Sequence, residues 1–515
     1  MSALTSRRSS NPPPRRSSNP PPPGSSPRPS HQDLVGSTGI GARFRPARIN
    51  AAELPADLAC RFQCDGAFLG PFAVLDLSTV GFAAAARDPL ALAPGSVLDS
   101  FELTLGDRVI WSGEATVVHG GDDRIGGRFT SGLLDLRQLR LEATLESRLA
   151  VLQEQQERLP VEWRAAVGDL RQLIEGVRAE LDAIEQDEAR DPMRLADEEA
   201  ELFAGLSARW GSEYYGAVAR LHALSQDFDD RTNALACGYA SSAIMPLLMS
   251  CPIHRRAYEK PLGYAGDYRM MELLCADELS GEGLFGRFLH LTMQNYTLGR
   301  TVRARQVVMR DAVRAAIDAP GDEPVRVLAV AAGPALELRR LLEETGPLER
   351  SVELVLLDQD PSAHEAAHRH LTRILLQRHH GTLPVTVQCV HYSVRQLLKP
   401  QTPEELRIRD SLGTFDLIYS AGLYDYLPDL VAQRLTTLLY ARLRPGGRLL
   451  VGNMVETADT TWVLHFVLGW ALLYRTHESM LRLAQRLAPA PERLGITRDA
   501  TGRCVFLDAQ KSRSA

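Results

Sequence analysis

The chain has 515 residues, 44% of them hydrophobic and 24% charged, with a formal net charge of -6. That length exceeds what a single hydrophobic core supports and predicts several domains. The composition is that of an ordinary folded protein, and mild acidity without a basic stripe in the folded part argues against nucleic-acid binding.

Residues 1–40 are a Pro/Ser/Arg tract with almost nothing apolar to bury, which predicts a disordered tail. They contain no apolar run of the kind that opens a secretory leader. From 41 to 136 the texture changes to short strands, "LACRFQ", "GPFAVLDLS", "VLDSFELTL", "VIWSGEATVVH" and "RIGGRFT". Gly, Pro and Asp punctuate them at intervals that predict a small antiparallel β-barrel or sandwich. Residues 137–235 carry apolar positions at helical spacing among abundant Glu, Arg and Gln, with Pro160 dividing two long stretches. They predict a helical linker with solvated charged faces, coiled-coil-like and able to form a homodimer. A second helical stretch, 236–320, precedes the last region.

Residues 321–515 alternate strands with helix-length segments. "VRVLAVAA" and "VELVLLD" are continuous apolar runs, as in parallel strands buried on both faces. "VTVQCVHY", "FDLIYSAG" and "GRLLVGNM" follow, and "ITRDATGRCVFLDAQ" reads as two strands around a turn. The order predicts a doubly wound, Rossmann-like α/β sheet with an antiparallel edge hairpin. The most apolar late segment, "WVLHFVLGWALLY" (Trp462–Tyr474), falls short of the ~20 residues a spanning helix needs. It carries His465 mid-run and predicts a buried core helix, so a cytoplasmic protein without a membrane span is expected. The seven cysteines are scattered, and Cys60 and Cys64 have no second Cys/His pair nearby, so free thiols and no metal are expected.

The chemistry concentrates in "VRVLAVAAGPALELRRLL", Val325 to Leu342, where an apolar strand stops at one glycine and a helical pattern begins. Gly333 permits a tight turn, Pro334 suits the first helical turn, and Glu337 falls where the helix dipole favours an acid. Asp358 then ends the next apolar strand, 25 residues after Gly333, where an acid meets ribose hydroxyls. A single glycine without GxGxxG cannot cradle a pyrophosphate. With the strand-ending acid, it favours S-adenosylmethionine over NAD or FAD.

Two resemblances follow from these motifs. "DLSTVG" (Asp76–Gly81), with "PGSVLDSFELTL", "GEATVVH" and "IGGRF", resembles the PilZ domain. That domain's signature is Asp or Asn, any residue, Ser, two further residues and Gly. The resemblance implies cyclic di-GMP binding through Asp76, Ser78 and Gly81 together with an upstream arginine pair. "ARFRPARIN" supplies Arg43, Arg45 and Arg48, but none at the family's spacing. An effector site and a docking barrel therefore both stand.

"FDLIYSAGLYDYLPD" (Phe415–Asp429) and "LRPGGRLLVGN" (Leu443–Asn453) resemble class I S-adenosylmethionine-dependent methyltransferases. "KPLGYAGDYRMMELL" (Lys260–Leu274), "TVRARQ" (Thr301–Gln306) and "LLYRTHESM" (Leu472–Met480) narrow this. They resemble the extracellular-factor (3-hydroxypalmitate methyl ester) biosynthesis type, over roughly residues 240–510. The resemblance implies a cofactor site at Ala331, Gly333, Pro334, Asp358, Gln359, Ser393, Ser420, Ala421 and Gly422. It implies a lid or acceptor pocket at Tyr264, Asp267 and Tyr268, and substrate-facing residues at Tyr424, Asp425 and Tyr426. Arg303, Arg305 or Arg475 would anchor the carboxylate of a fatty-acid-like acceptor, or would serve as structural ion pairs.

The chain departs from the family at Ala331, where members carry the first glycine of Gly-x-Gly-Pro-Ala, and at His465, where an acid is expected. A carboxylate acceptor is ionised at pH 7, so methyl transfer to it requires alignment and exclusion of water rather than a general base. The other reading is a non-catalytic signalling scaffold with a degenerate methyltransferase fold.

Overall fold

The fold is that of a computed structural model, which describes residues 48–85, 92–106, 108–121, 123–188 and 192–513, with only the backbone of 192–197. The 1–40 tail, Arg43 and Arg45 lie outside the described residues. The chain divides into a first unit ending at Leu152 and a second beginning at Gln153.

The first unit is built on strict alternation. In Leu58–Cys64 every second residue is buried, so the strand has one wet and one dry face. The strands are β1 (Arg48–Asn50), β2 (Leu58–Cys64), β3 (Ala67–Ser78), β4 (Gly81–Ala85), β5 (Val97–Leu105), β6 (Arg108–Gly120) and β7 (Arg124–Phe129). Six pair antiparallel in the ring β3-β2-β5-β6-β7-β4, which β4 closes onto β3, and β1 pairs with the end of β3. The result is the expected small antiparallel barrel. Phe62, Phe82, Phe101 and Phe129 fill it, with ring centroids 4.5 to 6.0 Å apart. Burial pushes the Cys60 thiol up to about 12, which leaves it an inert core group.

Helix α1 (Leu136–Arg158) carries the chain into the second unit. There α2 (Val161–Glu188) and α3 (Pro192–Leu224) lie in the stretch read as a helical linker, and α4 (Asp230–Leu248) runs from its end into the second helical stretch. They bury Trp163, Leu170, Ile174, Phe203, Trp210 and Ile244 in one core. Their charge runs cover only the outer faces, while large aromatic residues on the apolar stripe pack within the same unit. Four shorter or later helices complete the layer: α5 (Pro252–Glu259), α6 (Tyr268–Leu274), α7 (Gly283–Asn295) and α8 (Thr297–Asp318).

The sheet of this unit contains β8 (Val325–Val330), β9 (Val352–Asp358), β10 (Val385–His391), β11 (Phe415–Ser420), β12 (Leu443–Met454), β13 (Arg493–Arg498) and β14 (Cys504–Gln510). Its order is β10-β9-β8-β11-β12-β14-β13. The first five strands are parallel, and β14 is antiparallel to both neighbours. This differs from the 3-2-1-4-5-6 dinucleotide-binding order by the reversed last strand, inserted between the fifth and sixth. Separate apolar cores lie on the two faces, which is why β8, β9 and β11 are mostly apolar, with Arg326, Glu353 and Asp416 each second in its strand.

Connecting helices are α9 (Leu336–Glu344), α10 (Pro361–Gln377), α11 (Val394–Leu398), α12 (Pro403–Ser411), α13 (Asp429–Ala441) and α14 (His477–Arg482). The segment expected as a buried core helix is a π-helical stretch, Thr460–Val467, buried at Trp462, Val463, Leu464, Phe466 and Val467, and Leu473 beyond it is exposed. The Leu468 amide reaches back to the Val463 carbonyl at 3.0 Å. Among the described residues no helix is long and apolar enough to cross a membrane.

Candidate functional site

From β8 the sheet continues to β9 on one side and to β11 on the other. At such a switch point the loops after the two strands part and leave a crevice. A cavity of about 720 Å³ opens there. Its floor is formed by the segments following β8, β9, β10 and β11. The 262–271 segment, the first turns of α8, and Trp470 with Leu472 complete its wall.

The loop after β8 is held in an unusual backbone state. Ala331, Gly333 and Ala335 have φ of 52°, 55° and 49°. Only glycine adopts this region without strain. A Cβ on Gly333 would meet nothing within 4 Å, so the glycine serves the turn's conformation and not its space. Helix α9 starts at Leu336 with Ala335 as its N-cap. Pro334 therefore sits before the helix, not in its first turn, because the left-handed residue after it delays the helical backbone. The loop is tied to β9: the Ala332 amide donates to the Leu357 carbonyl at 3.2 Å, and the Gly333 amide to Asp358 Oδ2 at 2.8 Å. Asp358 Oδ1 accepts the Asp360 amide at 3.0 Å.

Four buried charged groups line the cavity: Asp358, Glu337, Asp425 and Arg305. Glu337 Oε1 accepts the Tyr419 hydroxyl at 2.6 Å. Burial pushes its carboxyl up, against the pull of that hydrogen bond and of Arg305. Asp425 Oδ1 accepts the Met454 amide at 2.7 Å, and Arg305 Nη1 lies 3.5 Å from Oδ2. Burial pushes the Asp425 carboxyl up to about 6, with Arg305 pulling the other way. Among the buried groups, three carboxylates stand against one guanidinium, and the exposed Arg395 also lines the cavity.

Of the residues singled out in the sequence, Ala331, Gly333, Pro334, Asp358, Gln359, Ser393, Ala421 and Gly422 line the cavity together with Tyr264, Tyr268, Asp425 and Tyr426. The others lie behind it. Ser420 Oγ donates to the Val330 carbonyl at 2.9 Å and ties β11 to β8. Asp267 caps α6 through the Met270 amide at 2.9 Å and accepts Arg256 Nε on both oxygens. The Tyr424 hydroxyl meets Thr436 Oγ1 at 3.1 Å in the core. Arg475 donates to the Tyr424 and Leu427 carbonyls, to Asn453 Oδ1 and to Asp429, so its fork holds the 424–429 turn. Arg303 donates to the carbonyls of Leu274 and Gln294. Of the three arginines considered as anchors, Arg305 faces the cavity.

Leu262, Gly263, Tyr264 and Gly266 form part of the cavity wall. Lys260 Nζ donates to the Gly469 carbonyl at 2.7 Å, and Trp470 Nε1 donates to the Tyr426 hydroxyl at 2.8 Å. A Cβ on Gly266 would come within 2.3 Å of that hydroxyl and 2.9 Å of the Trp470 ring, so only glycine passes here. Tyr264 beside it has its hydroxyl pushed up by burial and then by Asp358 and Asp360. Of the four buried charged groups in the cavity, Glu337 is the one that the sequence reading did not assign to a ligand. Its signal was an acid one helical turn before Leu341, on the apolar stripe of α9. Among the described residues no group of three or more His, Cys, Asp or Glu is placed to hold a metal ion.

On the barrel, Asp76, Ser78 and Gly81 lie where β3 turns into β4. Asp76 pairs with both Arg48 and Arg124, and Ser78 Oγ donates to the Gly81 carbonyl at 3.2 Å.

No protein-family pattern and no curated protein matches this sequence. Among solved structures, the chain is similar to an exported-protein candidate of Bordetella parapertussis at 18% identity and TM-score 0.37, covering 61% of this chain and 97% of the other. It is similar to magnesium protoporphyrin IX methyltransferase of Synechocystis PCC 6803 with bound S-adenosylhomocysteine at 12% and 0.33, covering 50% and 98%. It is also similar to the N-methyltransferase NodS of Bradyrhizobium japonicum WM9 in complex with S-adenosylhomocysteine at 15% and 0.28, covering 47% and 97%. At such identities and TM-scores these are likenesses only, and what the chain does rests on the cavity.

Proposed function

We propose that the chain is an S-adenosylmethionine-dependent methyltransferase acting on a small, largely apolar acid. The observation that carries this reading is the cavity at the switch point, where the single-glycine loop is held by the acid ending the neighbouring strand. Three buried carboxylates against one guanidinium oppose a pyrophosphate and suit a ligand carrying cationic groups. S-adenosylmethionine, when bound, supplies a methyl group on a sulfonium. Asp358 keeps lone pairs for ribose hydroxyls beyond its two backbone bonds.

Leu262, Met271, Leu298, Val302 and Leu472 give the opposite wall a hydrocarbon surface, which suits a fatty-acid-like acceptor. Its carboxylate is ionised at neutral pH and needs no proton removed. The work left to the chain is to align the acceptor and exclude water, which the rings of Tyr264, Tyr426 and Trp470 in the cavity wall support.

Titration of the full chain with S-adenosylmethionine by calorimetry tests this reading. Binding in the micromolar range is expected, and no heat at high micromolar concentration overturns it. Transfer of a labelled methyl group to fatty acids separates the enzyme from a scaffold that binds without reacting.

The convergence of Arg48 and Arg124 on Asp76 supports a second, independent role for the barrel as a PilZ-like site for cyclic di-GMP. Arginine forks grip phosphates and stack on guanine. Saturable heat with cyclic di-GMP that is lost in Arg124→Ala is the expected result. A flat titration leaves the barrel a docking module.

A further inference from the structure

The two edge strands of the second unit's sheet differ. β13 begins and ends on arginine, Arg493 and Arg498, and charges of this kind keep an edge from pairing further. β10, the opposite edge, reads Val-Thr-Val-Gln-Cys-Val-His, with no proline, lysine, arginine or acid. Among the described residues β9 is its one strand partner. Two hydrogen bonds show which backbone groups β10 leaves over. The Val352 amide donates to the Pro384 carbonyl and the Tyr392 amide to the Asp358 carbonyl, each at 2.8 Å. Even-numbered residues from 384 to 392 therefore turn their backbone groups to β9, and Val387, Cys389 and His391 turn theirs outward. An uncharged row of this kind is a template for another strand.

The edge is complementary to itself. In an antiparallel pair about a two-fold axis at Gln388, Val387 stands opposite the partner's Cys389, and these two exchange both hydrogen bonds. The Val385 carbonyl takes the amide of the partner's His391, and no like charges face each other along the strands. Beside the edge runs a groove of about 660 Å³, lined by Cys389 and by Glu365, Thr372, Arg373 and Leu376 of α10. Glu365 and Arg373 stand about two helical turns apart, at opposite ends of the groove. The same axis reverses α10, so the acidic end of one groove meets the basic end of the other. Arg369 between them is paired with its own Glu365. Leu376, 60% exposed, gives the contact an apolar element. Opposite charges brought together by the axis that matches the strands favour a second copy of this chain over an unrelated strand.

We propose that β10 is the interface of a homodimer, in which the two seven-stranded sheets join edge to edge into one. It is not the helical-linker dimer expected from the sequence, and it stands independently of the methyl-donor reading. The interface reaches the cavity all the same. His391 directly precedes Tyr392, Ser393, Val394 and Arg395, which line it.

Sedimentation velocity on the full chain tests this, and a concentration-dependent dimer is expected. Thr386 and Gln388 are exposed, so both accept substitution without disturbing the core. Under oxidising conditions Gln388→Cys should give a disulfide-linked dimer, because the axis sets this position opposite itself in a non-hydrogen-bonded pair, where Cβ atoms are closest. Thr386→Cys, which faces the partner's Val390, should not. Gln388→Lys sets like charges opposite each other and should raise the dimer's dissociation constant about fivefold, with the urea midpoint unchanged. A monomer at every concentration overturns the proposal, including one whose edge takes up a strand of another protein. So does a dimer that is indifferent to Gln388→Lys and cross-links equally through both cysteine variants, as one held through α1 would.

Discussion

The Gly333 amide donates to Asp358 Oδ2 at 2.8 Å, so the one glycine after β8 and the acid ending β9 form a single unit. The Asp360 amide takes the other oxygen of the same carboxylate. Asp358 thus shapes the loop and faces the cavity at once. Asp358→Ala leaves two amide donors without their acceptor, which should lower stability by about 2 kcal/mol. It should also weaken S-adenosylhomocysteine by about tenfold or more. Asp358→Asn retains an acceptor oxygen and should recover part of the stability. Urea midpoints and calorimetry on the three proteins check this, and an unchanged midpoint in Asp358→Ala would show that the tie is unimportant.

The loop's left-handed residues give a prediction of opposite signs at neighbouring positions. Ala331, at φ 52°, carries strain that glycine would not. Ala331→Gly should raise stability by about 1 kcal/mol. Gly333→Ala should lower it by about 1 kcal/mol, although a Cβ there meets nothing. Chemical denaturation measures both, and the same sign for both would contradict the backbone argument.

Asp425 predicts a pH dependence. Its carboxyl is pushed up to about 6 by burial, with Arg305, the Met454 amide and Arg475 acting the other way. In the unfolded chain such a group titrates near pH 4, so between about 4 and 6 the folded state binds more protons. Stability from this group therefore falls as pH rises through that window and is level above it. Asp425→Asn removes the group. The variant's stability relative to wild type should rise by on the order of 2 kcal/mol between pH 4 and pH 7. A constant difference across that range would place the titration elsewhere.

Arg475 should be a structural residue. Its fork is spent on two carbonyls, the Asn453 side chain and Asp429. Arg475→Met should cost about 3 kcal/mol by leaving those acceptors unpaired, the Tyr424 carbonyl and Asn453 Oδ1 in buried contacts. Arg475→Lys should recover little, since an ammonium cannot reproduce the fork. Full recovery by lysine in a urea titration would argue against this geometry.

The strands of both sheets were legible because a strand's face is written locally. Alternation in Leu58–Cys64 marks a half-buried barrel strand, and the consecutive apolar residues Val327–Val330 in β8 and Leu354–Leu357 in β9 mark strands covered on both sides. Most of the cavity floor was legible for a related reason, since its residues directly follow strand ends. What faces the cavity from helices was not. Arg303 and Arg305 are two positions apart on α8, so one turns to the carbonyls of Leu274 and Gln294 and the other to the cavity. Sequence spacing does not set a helix's rotation against its neighbours. The same limit hid what covers α2 to α4: their apolar stripes are visible in the sequence, but the surface they bury against is not.

The central claim is that the cavity between β8 and β11 holds a methyl donor on Asp358 beside the Gly333 loop. A crystal structure of the full chain grown with S-adenosylhomocysteine tests it most directly. The prediction is density in the cavity with the ribose hydroxyls on Asp358. Ligand bound elsewhere, or an empty cavity at saturating S-adenosylhomocysteine, would contradict it.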